Sequence, residues 1–263
     1  MKISFGFYPG NKRRALTMSY DDSRCEDRRL VEIFNENGIK GTFHIISSRL
    51  GNGNYLTYEE IGTLFRGHEV SGHTLTHPQL TKLPTPEIIH EILEDRKILE
   101  SACHYPVRGL SYPYGNFSDD VVNTLRTLGV CYSRTTKGTQ GFAIPDDFLL
   151  WHPTCHHRMD IFALLESFKT AKPLSLFYVW GHSFEFPRDN NWEKIEEFCK
   201  RASEEEDVWF ATNIEIYDYI TALRNLVFSA DRTMVFNPSA LDVILDVDGE
   251  PVEIPSGKTV TLK

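Results

Sequence analysis

The stretch Ala15-Leu16-Thr17-Met18-Ser19-Tyr20-Asp21-Asp22 reads as an apolar strand that runs straight into two adjacent carboxylates. Such charges are out of place inside a core but fit the carboxyl edge of a βα fold, where loops collect functional groups. The segments downstream keep the same rhythm. Residues 26–37 have helical period and stop at Gly38, which can close a helix in the left-handed conformation. A strand is expected over 42–46. Thr57-Tyr58-Glu59-Glu60 has the form of a capping box and opens a helix that ends near Gly67. Further helices are expected to start at Thr85-Pro86, Ser118, Asp160, Asn191 and near Ile214. Further strands are expected at 109–112, 130–133, 149–152, 174–180 and 208–212. Repeated strand-helix alternation is the pattern of a parallel sheet.

An open doubly wound sheet and a closed barrel give similar alternation, and the polar residues favour the barrel. Asp21 and Asp22, Tyr112-Pro113-Tyr114-Gly115, His152 and His182 each follow the exit of an expected strand. No glycine-rich phosphate loop follows the first strand, which counts against a nucleotide site. From residue 228 the character changes: apolar and polar residues alternate, with turn signals at Asp248-Gly249 and Ser256-Gly257. Two or three antiparallel strands are expected there. The division is thus a barrel over 1–227 and a small β extension over 228–263, packed on the barrel or serving a homo-oligomer contact.

The chain has 263 residues, 41% hydrophobic and 25% charged, with a formal net charge of -9. An acidic balance argues against a protein that grips phosphate backbones, so nucleic acid is excluded as a partner. No run of eighteen apolar residues occurs and the first residues lack a signal-peptide pattern, so no membrane partner is expected. A cytoplasmic location follows if Met1 is the native start. The five cysteines, Cys25, Cys103, Cys131, Cys155 and Cys199, are spread singly and read as free thiols.

His73 and His77, four apart in Gly72-His73-Thr74-Leu75-Thr76-His77-Pro78, share a face if the segment is helical. They converge on one ion if it is a tight loop stopped by Pro78. Alone, such a pair is more often structural than ligating. Asp21-Asp22 shifts that weight, because adjacent carboxylates repel and one resists ionisation unless a cation is present. Two histidines and one carboxylate are a standard set for catalytic zinc. The second carboxylate then stays free to take a proton from water.

Asp21-Asp22, the segment Gly67-His68-Glu69-Val70-Ser71-Gly72-His73-Thr74-Leu75-Thr76-His77-Pro78, Tyr112-Pro113-Tyr114-Gly115 and the late His182, in this order, resemble the motifs of the polysaccharide deacetylase (NodB homology) family, carbohydrate esterase family 4. The resemblance spans about residues 13–220. It implies a distorted (β/α) barrel with fewer than eight strands, here with the small C-terminal antiparallel β appendage. It also implies that Asp22, His73 and His77 bind a divalent metal, zinc first, with Co2+, Ni2+, Mn2+ or Fe2+ as alternatives. Asp21 would be the general base, His182 the general acid, and the Tyr114 backbone N–H an oxyanion donor. Trp180 falls where an apolar wall of the acetyl pocket is expected. Trp151 stands in for the family's Asp-x-x-Asp-Trp segment, and Tyr112 and His152 join the substrate-binding candidates.

Two positions depart from the family pattern. Ser23 replaces a common glycine, and Ser111 stands where the family carries the arginine that tunes the base. Arg108 is the candidate replacement. The expected function is removal of an acetyl group from an acetylated sugar or small glycoconjugate, from nitrogen in preference to oxygen. The alternatives are hydrolysis of a non-sugar amide such as a cyclic ureide or imide, and a non-catalytic carbohydrate-binding barrel.

Overall fold

Residues 1–262 are described by a computed structural model. After a two-residue strand β1 (Ile3–Ser4), the chain enters β2 (Arg14–Asp21), which is buried from Ala15 onward. The parallel strands that follow are β3 (Gly41–Ile45), β4 (Glu69–Gly72), β5 (Gly109–Ser111), β6 (Tyr132–Arg134), β7 (Cys155–His156), β8 (Ser175–His182) and β9 (Val208–Phe210). Six of them join β2 in a curled path in the order β6-β5-β4-β3-β2-β8-β7. The short β9 pairs with Arg14–Leu16 only, below the point where β3 takes over beside β2. No ladder joins β7 to β6. The gap is spanned by an extended segment in which Trp151 bridges Arg134, with Trp151 N–H donating to Ser133 O at 3.1 Å. The barrel is therefore distorted at one seam, as expected.

Helices α1 (Asp27–Glu36), α2 (Tyr58–Leu64), α3 (Thr85–Cys103), α4 (Asp119–Thr127), α5 (Ile161–Lys169), α6 (Glu185–Arg188), α7 (Trp192–Ser203) and α8 (Asn213–Arg224) connect the strands. Their starts follow local chemistry. The capping box at Thr57 forms, a second one forms at Thr212 with Glu215, and the Ser118 and Asp160 side chains accept from Val121 N and Ala163 N. Each such cap stabilises its helix by about 1 kcal/mol. On α1, Leu30, Val31, Ile33 and Phe34 are buried against Phe43 and Tyr20. Burying each of these large apolar side chains contributes roughly 1.5–3 kcal/mol.

Three features depart from the sequence reading. Residues 149–152 are not a strand. Asp147 caps Leu149 N at 2.9 Å and Phe148 packs edge-on against Trp151 at 4.8 Å, so the apolar run curls into a 3-10 turn (Phe148–Leu150). Periodicity cannot separate a short buried turn from a short buried strand. Second, β4, β7 and α6, each four residues or shorter, carry too little pattern to be read from sequence. Third, the tail holds more strands than expected: β10 (Val227–Phe228), β11 (Met234–Phe236), β12 (Val243–Val247), β13 (Glu250–Ile254) and β14 (Thr259–Thr261). They form two antiparallel sheets, β1-β12-β13 and β10-β11-β14. The Asp248-Gly249 turn joins β12 to β13 with φ of 53° and 94°, the left-handed pair that a tight hairpin demands. Val235, Val243, Leu245 and Ile254 share a core with Ile216, Tyr219, Ile220 and Leu223 of α8, so the tail packs against the chain's own outer helix.

Candidate active site

The carboxyl edge of the barrel brings together residues that are far apart in sequence. Asp21 is the last residue of β2, and its register partners are His44 on β3 and His182 on β8. Beyond Asp21 the chain turns sharply, with Asp22 and Ser23 at φ of 80° and 51°. A left-handed conformation at position 23 accounts for the glycine that the family favours there. The Ser23 hydroxyl offsets part of the cost by accepting from Ile46 N at 3.4 Å.

His73 and His77 flank a loop, not a helix. Thr74 and His77 are left-handed (φ 66° and 63°), and the Thr74 hydroxyl accepts from His77 N at 3.0 Å. Glu91 on α3 accepts from Thr76 N and Oγ1 at 2.8 and 2.7 Å, anchoring the loop from below. As a result His73 Nε2 and His77 Nε2 lie 3.7 and 3.9 Å from Asp22 Oδ1. One donor atom from each of the three lies within 4.8 Å of the others. His73 Nδ1 donates to the Ser111 carbonyl at 2.9 Å, which leaves Nε2 unprotonated and facing Asp22. Burial pulls His73 down to about 3, so it is a neutral imidazole at physiological pH, the state a metal ligand needs. Burial, and then Asp21, push Asp22 up despite His182 and His77, as expected of a carboxylate awaiting a cation. The donor set and tautomer fit a divalent metal.

Asp21 does not join that three-residue donor set, although its Oδ2 lies 3.7 Å from His73 Nε2, as close as Asp22 Oδ1 does. Its other partner corrects the sequence reading. Arg108 lies elsewhere, its guanidinium forked on Asp218 at 2.9 and 2.6 Å, partly exposed. The guanidinium beside Asp21 is that of Arg134 at the exit of β6, which is fully buried and hydrogen-bonded to Oδ2. Arg134 is the register partner of Ser111 on the neighbouring strand. The arginine is thus supplied from one strand over, and Ser111 uses the vacated space to approach Asp21 Oδ1 and His73 Nδ1 with its hydroxyl at 3.3 and 2.6 Å. Burial pushes Asp21 up, but the charge of Arg134, with His73, His44 and His182, holds it well below the usual carboxylate range.

His182 approaches from the other side, Nε2 4.0 Å from Asp22 Oδ2. Its Nδ1 is 3.4 Å from Glu185 Oε1, an ion-pair contact across α6 that the sequence reading missed. Glu185 is buried and also meets His156 and His157 at 3.2 and 3.0 Å, and Arg158 and Arg188 at 3.1 and 3.5 Å. Gly181 makes this possible, since a Cβ there would lie 2.1 Å from His157 Nδ1. Burial pulls His182 down, but Glu185 and the two aspartates outweigh it and hold the imidazole above its ordinary pKa.

The remaining candidates divide. Trp180 lies beside the site, its ring under Arg134 at 4.3 Å and 5.6 Å from His182. The Tyr114 backbone is left-handed (φ 60°) and its ring meets His77 at 4.6 Å. His152 sits at the mouth beside Phe117, 6.3 Å between ring centres, and contacts Thr135 Oγ1 at 2.6 Å. Tyr112 and Trp151 do not face the site. Tyr112 is buried and its hydroxyl donates to Leu149 O at 2.8 Å; Trp151 is buried among Tyr132, Phe148 and Tyr178. Both are core side chains. Cys155 is buried and its thiol is pushed up to about 12, which suits packing and not nucleophilic attack.

The polysaccharide deacetylase family matches residues 9–133, the segment that holds Asp21, Asp22, His73, His77 and Tyr114. Just under half of the chain, including most of the site, thus resembles the polysaccharide deacetylase family. A chitooligosaccharide deacetylase of Sinorhizobium fredii is 29% identical over 102 residues, 38% of this chain and 46% of that protein. The peptidoglycan-N-acetylglucosamine deacetylase PgdA of Listeria monocytogenes is 30% identical over 115 residues, 44% of this chain and 24% of that protein. A chitooligosaccharide deacetylase of Bradyrhizobium is 28% identical over 136 residues, 50% of this chain and 60% of that protein. The matched segments thus span from about a quarter to under two thirds of these relatives. Among solved structures, a Mycobacterium smegmatis protein assigned to the polysaccharide deacetylases superposes with a TM-score of 0.62 at 17% identity, covering 85% of this chain and 96% of that one. The CE4 domain of a multidomain xylanase from the hindgut metagenome of Trinervitermes trinervoides gives 0.52 at 16% identity, covering 81% and 93%. Both likenesses concern the fold. Arg134, His182 and Glu185 lie outside the matched segment. No helix among the described residues is long and apolar enough to cross a membrane.

Proposed function

We propose that this chain hydrolyses the acetamide of an N-acetylated saccharide, with Asp22, His73 and His77 holding a divalent metal, zinc first. The observation that carries the reading is the convergence of that donor set with a buried, ionised Asp21 on one side and His182 on the other. When bound, the metal supplies a Lewis acid that makes water more acidic and polarises the acetyl carbonyl. Asp21, kept ionised by Arg134, takes a proton from the attacking water. His182, kept protonated by Glu185, gives one to the departing nitrogen, without which an amine leaves poorly. The Tyr114 N–H is assigned to the carbonyl oxygen as charge develops, and Trp180 to the acetyl methyl. Arg134 restores the base-tuning charge that Ser111 lacks, which supports turnover over a binding-only barrel.

Acetate release from N-acetyl and O-acetyl sugars by metal-stripped and zinc-reloaded protein tests the reading. Zinc-dependent release from N-acetyl sugars is expected; none from any sugar, with zinc bound, would move the assignment to a non-sugar amide or to binding alone.

The Glu185 contact predicts a pH effect. An acid works while protonated, so activity falls as pH rises past the pKa of His182. Glu185→Gln removes a carboxylate that raises this pKa, so the basic limb of the kcat profile should move to lower pH. An unshifted limb with a lowered plateau would mean that Glu185 serves packing alone.

A further inference from the structure

The mouth of the site is lopsided in charge. The loops after β2 and β3 are zipped together: Arg24 bridges Tyr55, Cys25 N donates to Asn54 O at 2.9 Å, and Leu56 N donates to Ser23 O at 2.9 Å. The same assembly is tied to the metal-site loop through Ser48 N and Leu75 O at 3.1 Å. Tyr55 at its centre carries two guanidiniums, Arg24 at 4.8 Å from the ring centre and Arg49 at 5.6 Å, and Arg49 Nη1 donates to the Tyr55 hydroxyl at 2.9 Å. Arg24 also lies 5.3 Å from the ring of Phe184, two residues past His182.

Among the described residues, neither arginine is hydrogen-bonded to a carboxylate. Arg24 makes a long ion-pair contact with Glu26, 3.9 Å from Nε to Oε2 and beyond hydrogen-bond reach. Arg49 forms no ion pair among the described residues, whereas nearby Arg188 is held by Asp189 at 2.9 Å. Both are only half-buried, and the charge of Arg49 is felt at Asp22 and His77. A guanidinium stacked on a ring is already ordered, and its N–H edge is set to fork onto an oxyanion. In a chain of net charge -9, two ring-packed guanidiniums beside the reacting centre, one loosely paired and one without an ion pair among the described residues, are not a byproduct of general basicity. On the opposite rim, after β5, the exposed rings of Tyr114 and Phe117 offer an uncharged platform suited to a sugar face.

We propose that the preferred substrate is an acidic saccharide, carrying a carboxylate or phosphate that Arg24 and Arg49 clamp while the acetamide lies over Asp22, His73 and His77. This rests on the deacetylase reading of the same site. The test compares N-acetylglucosamine and its dimer with N-acetylmuramic acid and N-acetylglucosamine 6-phosphate, by calorimetric binding and by acetate release, on zinc-loaded wild type, Arg49→Gln and Arg24→Gln. Wild type should favour an anionic sugar by about tenfold or more, the scale of a charge-assisted fork. That preference should shrink as salt rises from about 50 to about 500 mM, and each variant should lose most of it. The carboxylate and phosphate arms distinguish the two anion sources. Acetate release without anion preference would overturn the clamp and leave the deacetylase reading intact. Salt-sensitive anion binding lost in Arg49→Gln, with no acetate from any sugar, would do the reverse.

Discussion

Replacing Asp21 with asparagine should lower kcat by roughly 10²- to 10⁴-fold, the usual contribution of a positioned base, while the chain keeps its zinc. The division of labour follows from geometry: the donor set closes through Asp22, with Asp21 engaged instead by Arg134 and the Ser111 hydroxyl. The variant should also be less stable, because Arg134 has no exposure and would be left as a charge facing a neutral amide. Breaking one side of a buried ion pair typically costs about 3–5 kcal/mol. The pH sign is fixed by the direction of the shift. Asp21 is held below its unfolded pKa, so its stabilisation is complete at neutral pH, begins to fade under about pH 3.9, and is lost as pH falls through the depressed folded value. Asp21→Asn combined with Arg134→Met should recover stability without recovering turnover. Arg108→Ala is the control, since its partly exposed pair with Asp218 contributes about 0.2–1 kcal/mol and lies away from the reaction. Denaturant melts, zinc content and kcat on these three variants, with the zinc content of Asp22→Asn, decide it. Zinc loss in Asp21→Asn equal to that in Asp22→Asn would make both aspartates ligands, and an unchanged kcat would remove the base.

What the sequence could reveal depended on whether a residue's role was local. Asp21, Asp22, His73 and His77 sit in short segments whose spacing already implies a shared site, and the strand-exit argument put His182 with them. Arg134 was hidden because its relation to Asp21 runs through the pairing of β5 with β6, and nothing in the spacing of Ser111 and Arg134 announces that they are register partners. Arg108 was preferred for being three residues from the vacancy, but a β-strand's alternation and the nearby Asp218 turn it outward. A charged residue closing the run Tyr132-Ser133-Arg134 is the available signal, the same one that singles out Asp21 at the end of β2. Glu185 was missed because α6 is a single turn and carries no periodic pattern. Tyr112 and Trp151 were misjudged because an aromatic near a motif looks the same whether it faces substrate or core; only burial separates them.

His73→Ala should weaken zinc binding by more than the 10- to 100-fold that loss of an outer-shell partner costs, and turnover should fall with it. One of three protein donors is gone, and the Ser111 carbonyl that oriented it loses its role. The pH dependence of zinc affinity separates this from a simple cavity effect. Burial keeps His73 at about 3, and His77 is also lowered by burial, so neither holds a competing proton near neutrality. Asp22 is raised, chiefly by burial, so its carboxylate takes up a competing proton at higher pH than an ordinary aspartate does. Zinc affinity in the wild type should therefore weaken as pH falls into the raised carboxylate range, before His73 protonates. In His73→Ala the affinity is lower throughout, yet this carboxylate-controlled slope should survive. In Asp22→Asn the slope itself should flatten. Competition with a chromophoric zinc chelator from pH 8 down to about 5 measures both. A slope lost in His73→Ala and kept in Asp22→Asn would assign the displaced proton to the imidazole and contradict the neutral-ligand state derived from its burial.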